Sequence, residues 1–102
     1  MKNSDDQLNL LRLIYKNPEK AQRQLAKTLN FSLGKLNYCL KALKSKGYIK
    51  MRNFKENENK LVYRYLLTPQ GIHQKTKLSI SYVKKKMKEY DELKKELREN
   101  NE

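Results

Sequence analysis

The sequence has no tryptophan, one cysteine, one histidine, two prolines and three glycines among its 102 residues. A disulfide scaffold needs paired cysteines, and a lone thiol suits a reducing cytoplasm. Cys39 and His73 lie far apart, without further Cys or His at ligand spacing, so neither a metal site nor a cofactor is expected. No apolar run approaches the ~18 residues of a membrane-spanning helix. The opening Met1-Lys2-Asn3-Ser4-Asp5-Asp6 is polar and acidic, unlike a secretory signal. No nucleophile stands in a recognisable arrangement with a base, and no glycine-rich loop is present to cradle phosphate. Asp5-Asp6 read as helix-start residues that complement the dipole rather than as an acid–base pair. The chain therefore reads as a cytoplasmic protein that is not an enzyme.

Acid is scarce as well. Asp and Glu number 11 against 24 Lys and Arg, a net charge of +13. Residues 1–67 carry fifteen basic and five acidic side chains, net +10. Residues 68–88 hold six lysines and no acid, and residues 89–102 hold three basic and six acidic groups. So much positive charge on a small chain implies an anionic partner. Nucleic acid is the first candidate and an acidic membrane surface the second.

What is present is periodic. Ser4-Asp5-Asp6-Gln7 reads as a capping box, with Ser4 as N-cap and Gln7 reaching back. Leu8, Leu11, Ile14 and Tyr15 follow at helical spacing, broadened by Leu10 and Leu13, and Asn17-Pro18 ends this helix. A second helix covers about Gln22 to Asn30, with Leu25, Ala26 and Leu29 inward. Ser32 caps a third, from Leu33 to Lys46, whose inner face is Leu36, Leu40 and Leu43 with Cys39 beside them; Gly47 is the stop. The period then changes to two. Tyr48–Phe54 and Leu61–Leu67 read as strands around a polar turn, Lys55–Lys60. Thr68-Pro69 opens a helix of about 30 residues, threonine capping and proline at the first helical position. Its apolar residues from Ile80 onward step by 3, 4, 3, 3 and 4, close to a heptad. A stripe so narrow has no core of its own to cover, so it is expected to pair with a partner helix.

The expected fold is mainly α with a small β-hairpin: a winged helix-turn-helix over residues 1–67 and a C-terminal dimerisation helix over 68–102. In such a fold the second helix of the helix-turn-helix enters a major groove and the hairpin is the wing. The stretches Gln22-Arg23-Gln24-Leu25-Ala26-Lys27 and Phe31-Ser32-Leu33-Gly34-Lys35-Leu36-Asn37-Tyr38-Cys39-Leu40-Lys41-Ala42-Leu43, with the later Leu66-Leu67-Thr68-Pro69-Gln70-Gly71-Ile72, resemble the MarR-type regulators associated with bacterial exopolysaccharide gene clusters. The resemblance implies a transcriptional regulator of polysaccharide biosynthesis genes. It places Ser32, Gly34, Lys35, Asn37, Tyr38 and Lys41 at DNA-facing positions. Where that family's wing carries Asp-x-Arg, this chain reads Glu58-Asn59-Lys60.

The residues alone point the same way. With Leu36, Leu40 and Leu43 inward, Lys35, Asn37, Tyr38, Lys41 and Lys44 face outward. An Asn amide can bond adenine's N6 and N7 together, and lysines meet phosphate or guanine. On the wing, Arg52, Asn53, Lys55 and Lys60 are candidates for backbone contact. Cys39 reads as a small core residue and His73 as a surface one. Ile80, Val83, Met87, Tyr90, Leu93 and Leu97 form the expected homodimer seam, with two recognition helices set about one DNA turn, ~34 Å, apart. The long helix lacks Trp and Phe on its apolar side, against a membrane partner. The expected partners are double-stranded DNA and a second copy; the sequence leaves a small-molecule effector open. The alternative is a winged-helix module that docks another protein through its last helix, and the lysines of the recognition helix favour nucleic acid over it.

Overall fold

Leucines at helical spacing bring three short helices together, and a hairpin and a long helix close over them. The computed structural model describes residues 4–57 and 60–100, with side chains outside 54–63. The order is α1 (Ser4–Lys16), α2 (Gln22–Leu29), α3 (Leu33–Ser45), β1 (Ile49–Asn57), β2 (Lys60–Leu67) and α4 (Pro69–Asn100). The class is the one expected from the sequence.

The core draws on all the short helices: Leu10, Leu11 and Ile14 of α1, Leu25 and Ala26 of α2, Leu36, Cys39, Leu40 and Leu43 of α3, and Ile49 of β1. Leu13, Leu29, Phe31, Tyr48, Tyr65, Leu67 and Leu78 pack around its rim. Tyr15 is not among them. It is 54% exposed, with the Lys75 ammonium 4.5 Å from its ring centre. The α1 stripe is already filled by leucines, and the tyrosine's polar end does better at the surface.

The α1 start also differs from expectation. Ser4 is itself the first described helical residue, and Gln7 does not reach back to it. Gln7 is buried, and its Oε1 accepts a hydrogen bond from Gln74 Nε2 of α4 at 3.0 Å. The packing of α4 over α1 takes the amide out of water and supplies the partner it then needs.

The hairpin is antiparallel, with Ile49 opposite Leu67, Met51 opposite Tyr65 and Arg52 opposite Arg64. Its strands run farther than the sequence suggested: Lys55, Glu56 and Asn57 belong to β1 and Lys60 to β2, with an irregularity in register between Lys55 and Asn57. Ladder hydrogen bonds join backbones whatever the side chains are, so polar residues extend a hairpin that apolar ones begin.

One junction ties the wing to α4. Gly47, at φ +79°, ends the α3 region, and Tyr48 N–H donates to Leu43 O at 3.0 Å. Thr68 N–H then donates to Tyr48 O at 3.0 Å, and the Thr68 hydroxyl donates to Gly47 O. The same hydroxyl oxygen accepts from Gly71 N–H at 3.0 Å, capping α4. Gly71 is buried, and a Cβ there would lie 1.9 Å from Tyr48 O. The helix starts where it does because glycine alone allows this approach.

From there α4 runs 32 residues, ~48 Å at 1.5 Å per residue, and accounts for most of the molecule's 70 Å length. Its first turns hold α1 through Gln74, Lys75 and Leu78. Beyond them Ile80, Val83, Met87, Tyr90, Leu93 and Leu97 are each between 52% and 63% exposed. No helix among the described residues is long and apolar enough to cross a membrane.

Candidate nucleic-acid interface

The turn between α2 and α3 sets how α3 is presented. Asn30 adopts the left-handed conformation at φ 58°, and Phe31 N–H returns to Ala26 O at 2.9 Å. Asparagine tolerates that conformation better than other non-glycine residues. Ser32 then caps α3, its Oγ accepting from Lys35 N–H at 3.1 Å. At the start of α2, Gln24 Oε1 accepts from Ala21 N–H at 2.9 Å. Both ends of the turn are thereby fixed by local hydrogen bonds.

With Leu36, Cys39, Leu40 and Leu43 buried, the opposite edge of α3 is Gly34, Tyr38, Lys41 and Ser45, all exposed. Tyr38, 62% exposed, stands at the centre of that edge. Asn37 lies on the flank toward α2, where Gln22 Nε2 donates to its Oδ1. A carbonyl oxygen has two lone pairs, so Oδ1 can accept once more while Nδ2 remains available as a donor. Both an acceptor and a donor of the Asn37 amide thus stay available.

Lys35 occupies the other flank. Its Nζ lies 3.0 Å from Asp6 Oδ2 and 4.2 Å from the Phe31 ring centre. The ammonium is therefore turned toward α1, not along the edge shared by Gly34, Tyr38 and Lys41. Asp6, read from sequence as a dipole complement, also has this second role. Its carboxylate, together with burial as the larger cause, pushes the Cys39 thiol above its ordinary pKa. Cys39 is 3% exposed, a core residue as expected.

On the wing, Arg52 and Asn53 are exposed. Lys55 and Lys60 sit in the strands, but their side chains lie outside those described, and Glu58 and Asn59 lie outside the described residues. The register brings Arg52 opposite Arg64. The pairing gathers positive charge on the wing. Sequence reasoning did not single out Gln22 or the Arg52–Arg64 pairing. A polar residue at the first position of α2, one helix before an exposed Asn, was the signal available for Gln22; the arginine pairing depends on register, which the sequence leaves open.

Among the described residues, no group of three His, Cys, Asp or Glu could hold a metal ion. His73 is exposed on α4.

Residues 7–50 match the family model described as winged helix-turn-helix DNA-binding. The match spans α1, α2, α3 and the start of β1, so the helix-turn-helix and the hairpin after it are those of that fold. A comparison with curated proteins gives no match. Among solved structures, the chain is similar to Streptococcus pneumoniae FabT in complex with DNA, at 26% identity and TM-score 0.60, covering 81% of this chain and 58% of that one. It is also similar to Lactococcus lactis ZitR, a zinc-responsive MarR family member, at 24% identity and TM-score 0.65, covering 91% and 62%. Staphylococcus aureus MepR, as its G34K mutant, superimposes with TM-score 0.71 at 17% identity, covering 93% and 75%. The chain spans about three fifths of the length of FabT and ZitR.

Proposed function

We propose that the protein is a sequence-specific, double-stranded DNA-binding transcriptional regulator that acts as a homodimer. The observation that carries this reading is the exposed edge of α3, basic and polar, capped at Ser32 and held at the right place of a fold whose relative FabT was solved with DNA. Gly34 lets the backbone approach the duplex, Tyr38 and Lys41 meet phosphate or a base edge, and Asn37 reads a base. Lys35 reaches phosphate once it leaves Asp6. Arg52, Asn53, Lys55 and Lys60 follow the backbone from the wing. Residues 1–67 do the binding, and 68–102 join two copies through Ile80, Val83, Met87, Tyr90, Leu93 and Leu97. The likeness of residues 22–50 and 66–72 to regulators of exopolysaccharide gene clusters points to polysaccharide biosynthesis genes as the targets.

The test is equilibrium binding to duplex DNA, single-stranded DNA and RNA across a salt series. A dimer that neutralises ~8–10 phosphates gives a log–log slope of about −7 to −9 on its preferred duplex. A slope shallower than about −3, or equal retention of all three nucleic acids, overturns the reading. Capture of a protein partner in place of duplex DNA would favour the docking-module alternative.

A further inference from the structure

The free part of α4 is polar in charge along its length. From Ile80 to Lys88 it carries four lysines and no acid; from Glu89 to Leu97 it carries four acids and two lysines. In heptad terms Ile80, Met87 and Lys94 take the a positions and Val83, Tyr90 and Leu97 the d positions. The stripe is clear along its whole length, because α1 grips the other side of the helix, through Gln74, Lys75 and Leu78.

We propose that α4 pairs antiparallel with α4 of a second copy, the lysine-rich half of each lying against the acidic half of the other. This rests on the homodimer reading above and adds its direction. A parallel pair would set Lys94 against Lys94 inside the seam and bring the two lysine-rich halves to the same end of the rod. An antiparallel pair centred between Lys88 and Glu89 makes every layer an a-to-d contact: Ile80 meets Leu97, Met87 meets Tyr90, and Val83 meets Lys94. The two Lys94 ammoniums are then eleven residues apart along the rod, ~16 Å. Lys84 of one copy comes beside Asp91 of the other. Lys86 bonds Glu89 within its own helix at 3.3 Å, which leaves Lys84 and Asp91, both at e positions, to pair across the seam.

The bodies agree with this direction. Residues 1–67 carry net +10. A parallel pair would hold two such bodies side by side at one end, whereas an antiparallel pair holds them at opposite ends. The two Gln74 residues, where each body grips its helix, would be about 44 Å apart along the rod. That exceeds the ~34 Å of one DNA turn, so half-sites more than one turn apart are expected in place of adjacent ones.

The experiment uses the full chain with Cys39→Ala, which leaves no other thiol. Ile80→Cys and Leu97→Cys are made separately, then mixed and oxidised. The expected result is a disulfide-linked dimer in the mixture and none from either variant alone, since two copies of residue 80 lie ~25 Å apart in the antiparallel rod. Val83→Cys with Lys94→Cys repeats the test with substitutions that keep the end layers. A rise in dissociation constant with added salt is also expected, because the attraction between the halves is screened. Cross-linking of either variant with itself overturns the direction and leaves the homodimer standing. A dimer by sedimentation that yields no cross-link from either pair overturns the seam. A monomer at tens of micromolar overturns both the direction and the homodimer.

Discussion

Two glycines in two helices should respond to the same substitution with opposite sign. At Gly71 a Cβ would stand 1.9 Å from Tyr48 O, 2.8 Å from Tyr48 C and 3.2 Å from its Cα. Ordinary contact begins near 3.4 Å, so Gly71→Ala forces α4 away from the Tyr48 backbone by about 1.5 Å. Backbone, not a flexible side chain, is what must give. Overpacking of this kind costs ~1–3 kcal/mol. The shift also pulls on the Thr68–Tyr48 and Gly71–Thr68 hydrogen bonds, each contributing ~0.5–1.5 kcal/mol net. Better helix propensity returns at most ~1 kcal/mol. The net loss is about 2–4 kcal/mol, a large share of the ~5–15 kcal/mol of a typical domain. At Gly34 nothing lies within 4 Å of the added Cβ. Gly34→Ala should therefore stabilise by up to ~1 kcal/mol while weakening DNA binding, since the methyl keeps the α3 backbone from the duplex. Urea unfolding followed by helical circular dichroism reads both. A Gly71→Ala protein as stable as the parent, within about 0.5 kcal/mol, would refute the argument that α4 is seated on Tyr48.

Asn37→Ala is expected to lose ~1–3 kcal/mol on the preferred duplex and little on random DNA, whereas Lys60→Ala weakens both about equally. Gln22→Ala should relax sequence preference without matching the loss at Asn37, because it frees the Asn37 amide to turn; selection from a random duplex pool would expose an unchanged preference. The Cys39 thiol should resist thiol reagents in the folded protein and react at once in denaturant; rapid native labelling would contradict its burial. Because its folded pKa is raised, protonated Cys39 contributes fully below the thiol's ordinary value, and stability falls as pH rises past it, a loss that Cys39→Ala should reduce in alkaline melts. Polar substitution of Val83, Met87 and Leu93 together should yield a folded monomer with much weaker duplex binding, measured by sedimentation and gel shift; a persistent dimer would place the seam elsewhere.

The helices, their caps at Ser32 and Gly47, and the buried stripe of α3 were legible in the sequence because each depends on residues within a turn or two of one another. Leucine spacing selects the inward face, and caps satisfy backbone groups locally. The start of α4 at Thr68-Pro69 was legible for the same reason. Tertiary structure decided what the side chains do once elements meet. Gln7 met Gln74 across 67 positions instead of capping its own helix, Lys35 turned toward Asp6, and Gln22 came to hold Asn37. The hairpin's length and the Arg52–Arg64 pairing were set by ladder register, which no local pattern specifies. The glycine at 71 showed its purpose only when the Tyr48 backbone was in place against it. Local periodicity determines which elements form and which face each buries; the contacts between faces, and so the orientation of every polar group at the proposed DNA-binding edge, exist only in the packed chain.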